Sequence, residues 1–165
     1  MRVINRSVMF IAVLIMAASG ASAQAETTNS AAFHPKRIVP IPEASPSHPF
    51  AEHHVVFHIS ADDELAQRLV LNNAVNLQNA LGGPDKVEIE VVAYGPGLRL
   101  LFSENENAPR IQSMADNGIA FSACGNTMKK MGRTMENLNP VSQHVQAGVA
   151  RLVELQEAGW SYIRP

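Results

Sequence analysis

Apolar residues recur at strand spacing and then at helix spacing along the chain from residue 53 onwards. The short apolar run Val55–Ile59 is rich in β-branched residues and is followed by acids that favour a helix start, which predicts a strand and then a helix. Steps of three and four residues predict that this helix covers 62–81 and ends at Gly82. The residues assigned to its inner face are Leu65, Leu69, Val70, Ala74, Leu77 and Leu81.

The same alternation continues to the end of the chain. Residues 86–94 alternate polar and apolar at first and then become wholly apolar, which is typical of a strand in the middle of a sheet. The later segments are predicted as a helical turn over 98–102, a helix over 108–117, a strand over 119–123, a helix over 125–136, a strand over 141–146, a helix over 147–158 and a strand over 160–163. The inner faces of the last two helices are assigned to Met128, Met131 and Met135, and to Val149, Leu152, Val153 and Leu155.

Strands and helices alternate throughout this part of the chain. The alternation predicts a three-layer α/β/α domain over residues 51–165, with helices on both faces of one sheet. Because each strand is followed by a helix, the sheet is expected to be mostly parallel, with about five strands.

Residues 1–50 have a different pattern. Arg2 and Arg6 precede the uncharged apolar run 8–18, and small residues precede Ala23 and Ala25, which is typical of a secretory signal peptide cleaved after one of these alanines. The run is shorter than the ~20 residues that span a bilayer, so a retained membrane anchor is the weaker interpretation. Closely spaced prolines in 24–50 predict an arm outside the domain. We therefore expect a periplasmic or secreted protein with no stable membrane anchor.

The net charge of the chain argues against a nucleic-acid partner. The chain of 165 residues has 13 Lys and Arg and 15 Asp and Glu, and loss of Arg2 and Arg6 with a signal peptide would leave 11 basic and 15 acidic residues. A mildly acidic surface does not attract polyanions, so a nucleic-acid partner is not expected.

Several common chemistries lack their sequence pattern. Strand alternation separates His53 from His54 and His58, and no cysteine pair or carboxylate motif completes a metal-ligand set. The turn Gly95-Pro96-Gly97 has neither the GxGxxG spacing nor the lysine of a phosphate loop. No metal and no cofactor are therefore predicted.

Cys124, the only cysteine, ends the third predicted strand and precedes a helix. Unpaired N–H groups and the positive end of the helix dipole would favour its thiolate, and Lys129, Lys130 and Arg133 would add positive charge. Gly125 would leave space beside the sulfur. The alternative, a small buried residue that caps a strand, carries equal weight on these patterns alone, and a protease-like pair of Cys124 with a histidine is a weaker third interpretation.

In parallel α/β sheets, ligands bind beyond the carboxyl ends of the strands. The predicted strand ends therefore define a candidate site, with Cys124 as its nucleophile. Its candidate binding residues are Ser60, Tyr94, Gly95, Gly97, Gly125, Asn126 and Thr127.

Several segments of the chain together resemble the DsrE/DsrF-like family of sulfur-relay proteins, in its small exported branch. They are VVFHIS, VEIEVVAYGPGLRLL, NGIAFSACGNTMK and QAGVARLVELQEAGWSYIRP, in this order. The turn AYGPGLRLL and the segment GIxFxACxNTM are the more specific of these motifs. The resemblance covers about residues 53–165.

The resemblance implies a flavodoxin-like α/β/α fold that assembles into homo-trimers or hexamers. It also implies that Cys124 takes up sulfur as a persulfide or mixed disulfide and exchanges it with a donor or acceptor protein or a small sulfur species. Two other functions remain open at this point. One is a non-catalytic scaffold that binds a small molecule, and the other is a dimer joined by a Cys124–Cys124 disulfide.

Overall fold

The computed structural model of the protein describes residues 50–165. The predicted signal peptide and all but the last residue of the predicted arm lie outside the described residues. Five strands alternate with helices: β1 (His53–Ile59), α1 (Glu64–Ala80), β2 (Val87–Ala93), a 3₁₀ helix (Gly95–Leu101), α2 (Ala108–Asp116), β3 (Ile119–Cys124), α3 (Gly125–Lys130), a second 3₁₀ helix (Met135–Asn137), β4 (Ser142–Val145), α4 (Gly148–Glu157) and β5 (Ser161–Ile163).

The strands form one parallel sheet in the order β4-β3-β2-β1-β5. The first three connections all step in the same direction across the sheet, whereas the last returns from β4 at one edge to β5 at the other. Because crossovers between parallel strands are right-handed, connections that run in opposite directions lie on opposite faces. The predicted α/β fold, with a mostly parallel five-stranded sheet, is confirmed.

The apolar core is divided unequally between the two faces. On one face, α1, α2 and the first 3₁₀ helix cover a large cluster that includes Phe57, Val91 and Phe121. On the other face, α4 covers a small cluster of Val56, Val92, Leu152 and Leu155, with Tyr94 and Trp160 packed against it. One helix therefore closes the second face.

A buried ion pair joins α4 to the sheet on this second face. Glu90 of β2 is 3% exposed, and its two carboxylate oxygens accept hydrogen bonds from Arg151 of α4 at 3.0 and 2.7 Å. The Ser122 hydroxyl of β3 donates to the same carboxylate at 2.6 Å. This arrangement gives a buried charge the partners that it requires.

The third predicted helix is shorter than the apolar spacing indicated. It ends at Lys130 instead of residue 136, because Gly132 has φ +65° and Thr134 begins the second 3₁₀ helix with a capping box. Met128 is buried, but Met135 is 53% exposed, so the assignment of Met135 to the core was wrong.

Four aliphatic residues assigned to inner helix faces are exposed: Leu65, Leu69, Val149 and Val153. In α1 the buried face instead includes Gln67 and Gln78, whose side chains bond to the loops around α2. Gln78 donates to the Asn117 carbonyl at 2.9 Å. Leu71 is the fully buried leucine of this helix, whereas Leu65 and Leu69 lie at the surface.

Gly97 allows the first 3₁₀ helix to pack directly on the end of β1. A Cβ atom on Gly97 would lie 2.7 Å from the Ile59 carbonyl oxygen, which is backbone and cannot turn aside. We expect Gly97→Ala to lower the free energy of unfolding by about 1–3 kcal/mol, measured by urea denaturation.

The matched control is Gly125→Ala. There, the two nearest atoms to an added Cβ belong to the His144 imidazole, a side chain that can rotate away, and the backbone contact, with the Val145 carbonyl oxygen, is longer at 3.2 Å. We expect a smaller loss of stability than for Gly97→Ala, and equal losses would contradict the proposed role of the Gly97 backbone contact.

Candidate functional site

The carboxyl ends of β1, β2 and β3 meet through backbone contacts. The Gly97 N–H donates to the Ser60 carbonyl at 3.1 Å, and the Gly95 N–H donates to the Thr127 hydroxyl at 3.0 Å. The structure therefore brings the predicted site residues together. Ser60 and Gly97 contribute backbone to the scaffold of this site, whereas Tyr94, Cys124 and Thr127 contribute side chains.

The Cys124 sulfur lies between two helix N-termini. Cys124 precedes α3 and is 5% exposed, and its sulfur makes no capping hydrogen bond, so the N–H groups at the start of α3 act on it as nearby dipoles. Burial raises the pKa of its thiol, but interactions with the Thr127 side chain and with the N–H groups of Gly148, Thr127 and Asn126 lower it further than burial raises it. The net effect is a lowered pKa, which favours the thiolate.

The cationic side chains that the sequence placed near the sulfur do not produce this shift. Lys129 and Lys130 are exposed at the far end of α3. The Arg133 guanidinium pairs with Glu104 at 2.6 Å and lies over the Phe102 ring. Within residues 50–165, neutral donor groups rather than basic side chains favour the thiolate.

Gly148 is the site residue that the sequence did not indicate. It begins α4, and its N–H is one of the groups that lower the pKa of Cys124. A Cβ atom on Gly148 would lie 3.2 Å from the Cys124 Cβ and 3.1 Å from Cδ1 of Tyr94, so a side chain here would crowd both. The only available signal was a glycine that opens a helix after a strand.

A row of aromatic side chains continues from Tyr94 towards β5. The rings of Tyr94 and His58 stack with their centres 4.4 Å apart, and His58 Nδ1 lies 2.8 Å from the Tyr162 hydroxyl. Burial lowers the pKa of His58, as does the nearby Arg164, which favours the neutral imidazole. Burial also raises the pKa of Tyr94. The wall beside Cys124 is therefore uncharged.

Among residues 50–165, no histidine pairs with the cysteine. The groups that act on the Cys124 sulfur there are Thr127 and backbone N–H groups. The His144 imidazole instead lies beside Gly125, where open space was expected. No protease-like pair forms within this part of the chain.

Two cavities near these strands lie away from the sulfur. One of about 60 Å³ is lined by His58, Ser60 and Arg164, among others, and one of about 250 Å³ lies between α1, α2 and β3; neither includes Cys124. Among residues 50–165, no cluster of three His, Cys, Asp or Glu side chains has metal-binding geometry. No helix in that range is long and apolar enough to span a bilayer.

The fold and this geometry define a parallel α/β protein with a single cysteine held at the carboxyl edge of its sheet. The model of the DsrE/DsrF-like family matches residues 53–165, and the chain belongs to this family. No curated protein matches the chain.

Two solved structures share the fold. The protein of unknown function MTH1491 from Methanobacterium thermoautotrophicum is 37% identical, with a TM-score of 0.66 over 69% of this chain and 100% of that one. The conserved protein of unknown function BT1422 from Bacteroides thetaiotaomicron is 16% identical, with a TM-score of 0.53 over 68% of this chain and 94% of that one. The second likeness concerns the fold alone.

Among the residues that the structure describes, the Thr127 hydroxyl is the one side-chain donor near the sulfur, and it also accepts a hydrogen bond from the Gly95 N–H. We expect Thr127→Val to raise the pKa of Cys124 by up to about one unit, because a donor to the thiolate is lost. The rate of alkylation by iodoacetamide as a function of pH measures this shift. Thr127→Ser keeps the hydroxyl and should titrate as the wild type does, and a Val variant that also titrates like the wild type would contradict the role of the hydroxyl.

Proposed function

We propose that this protein is a sulfur carrier in which Cys124 takes up sulfur as a persulfide or mixed disulfide. The observation that carries the proposal is one buried sulfur placed where α3 begins, with Gly148 at the start of α4 packed against Cys124. The N–H groups at these helix starts lower the pKa of Cys124, and the thiolate is the form that attacks a sulfur–sulfur bond. Membership of the DsrE/DsrF-like family agrees with this function.

The proposed step is a simple exchange. The Cys124 thiolate attacks the outer sulfur of a donor persulfide R–S–SH, and a new S–S bond forms on Cys124. The S–S bond of the donor breaks, and its electron pair leaves with the donor as the thiolate RS⁻. The reverse exchange with an acceptor thiolate returns Cys124 to its starting state, so the cycle needs no separate oxidant or reductant.

The surroundings of the sulfur favour small donors. Cys124 is 5% exposed, and the neutral rings of Tyr94 and His58 close one side of it. A hydropolysulfide or a terminal persulfide on a flexible segment meets this constraint better than a folded surface does. The absence of a second cysteine in the chain keeps the persulfide from being resolved internally.

We also propose that the carrier works in the periplasm or outside the cell as a homo-oligomer, a trimer or hexamer. The signal-peptide pattern of residues 1–23 supports export. The exposed aliphatic pairs Leu65 with Leu69 and Val149 with Val153 support association, because such residues gain free energy when a subunit covers them.

Light scattering coupled to size-exclusion chromatography checks the assembly. We expect the wild type to have a particle mass of three or six protomers. If α4 forms the subunit contact, the double variant Val149→Asp and Val153→Asp should have a smaller particle mass. The corresponding pair Leu65→Asp with Leu69→Asp tests α1 in the same way. A monomeric wild-type protein would contradict the proposed assembly.

A non-catalytic scaffold is the second candidate, and the burial of Cys124 favours it. Alkylation by iodoacetamide, a reagent small enough for this site, separates the two functions. A thiol that reacts only after unfolding would support the scaffold, whereas reaction in the native protein supports the carrier. A disulfide between two copies of Cys124 would appear as a dimer on a non-reducing gel.

Mass spectrometry after exposure to polysulfide tests the carrier directly. We expect the wild type to gain the mass of one sulfur atom, to lose it again on treatment with dithiothreitol, and to carry it on Cys124. The control Cys124→Ser should gain nothing. A wild-type protein that remains unmodified under these conditions would rule out the proposed exchange.

A further inference from the structure

The ion pair between Glu90 and Arg151 lies one helical turn from the contact between α4 and Cys124. Arg151 follows Gly148 by three residues, so both occupy the same face of the first turn of α4. Glu90 belongs to β2, the strand that also leads to Tyr94. The pair therefore connects the turn that approaches the sulfur to the centre of the sheet.

The geometry of this pair fixes both the position and the rotation of α4. Arg151 binds with Nε 3.0 Å from one Glu90 carboxylate oxygen and Nη2 2.7 Å from the other. A bidentate pair of this kind holds the guanidinium in one plane relative to the carboxylate. The Ser122 hydroxyl, which donates to the same carboxylate at 2.6 Å, ties it also to β3, the strand that ends at Cys124.

Apolar packing alone would fix the position of α4 less firmly than the ion pair does. The buried cluster under α4 has only four members, Val56, Val92, Leu152 and Leu155, whereas Val149 and Val153 are exposed. Gly148 nevertheless has little free space around it, because an added Cβ there would be 3.1–3.2 Å from Tyr94 and Cys124. A shift or rotation of α4 would thus move the Gly148 N–H relative to the sulfur.

We propose that Glu90 and Arg151 are positioning residues, whose bidentate ion pair holds the first turn of α4 so that Gly148 stays packed against Cys124 and Tyr94. This inference deepens the proposed function and rests on it only in requiring a reactive thiolate. Ser122 has a supporting part, since its hydroxyl orients the Glu90 carboxylate.

The test is the combined variant Glu90→Met and Arg151→Met. It removes both charges and keeps side-chain volume, so no unpaired charge is left buried, and thermal denaturation should show a folded protein. We expect the pH midpoint of Cys124 alkylation by iodoacetamide to rise by up to about one unit, with up to about tenfold slower alkylation at neutral pH, because one donor to the thiolate is misplaced.

The matched control is Glu64→Gln combined with Arg68→Met, which removes an exposed pair on α1. Its alkylation profile should equal that of the wild type. A folded Glu90→Met and Arg151→Met protein with a wild-type profile would overturn the proposal. If that variant does not fold, Arg151→Lys is tested instead. It keeps the charge and loses the planar guanidinium that binds both carboxylate oxygens. An unchanged alkylation profile in Arg151→Lys would also overturn the proposal.

This test is independent of sulfur uptake. A wild type that fails to gain sulfur from polysulfide would refute the carrier function, yet its thiol would still titrate and the two profiles could be compared. Conversely, a wild type that takes up sulfur, together with an unchanged profile in the variants, would refute only the role of the ion pair.

Discussion

The right-handedness of parallel crossovers is the constraint on which the site depends. The chain builds β1 to β4 by steps in one direction and must return across the whole sheet to add β5. The return sends α4 to the opposite face, which it covers. This helix begins beyond the carboxyl ends of the strands, where β3 also ends. The N-termini of α3 and α4 therefore meet at Cys124. The path of the backbone thus brings N–H groups to a sulfur that burial would otherwise leave without polar neighbours.

Burial and hydrogen bonding act in opposite directions on this sulfur. An apolar environment disfavours the thiolate, and donors fixed in place favour it; the donors from α3, α4 and Thr127 prevail here. The same surroundings exclude water and bulky reagents from a thiol that is 5% exposed. A carrier needs both properties, because its persulfide must persist until an acceptor arrives.

Much of the fold and of the site could be predicted from the sequence. The apolar runs of 55–59 and 87–93, the parallel sheet and the position of Cys124 at a strand end all follow from local patterns. The patterns failed where distant residues decide: Gln67 and Gln78 of α1 are buried and bonded to the loops around α2, whereas Leu65 and Leu69 are exposed. His144 likewise fills the space beside Gly125. Gly148 was missed because only the path of α4 across the sheet brings it to the sulfur.

The titration of Cys124 is the sharpest measurement, because the chain has one cysteine. The ultraviolet absorbance of the thiolate, taken as the difference between the wild type and Cys124→Ser across a pH series, removes the contribution of the tyrosines. A midpoint below the ordinary cysteine value of about 8.5 agrees with a thiolate stabilised by two helix N-termini. A midpoint at or above that value would mean that burial prevails and that the cysteine is structural.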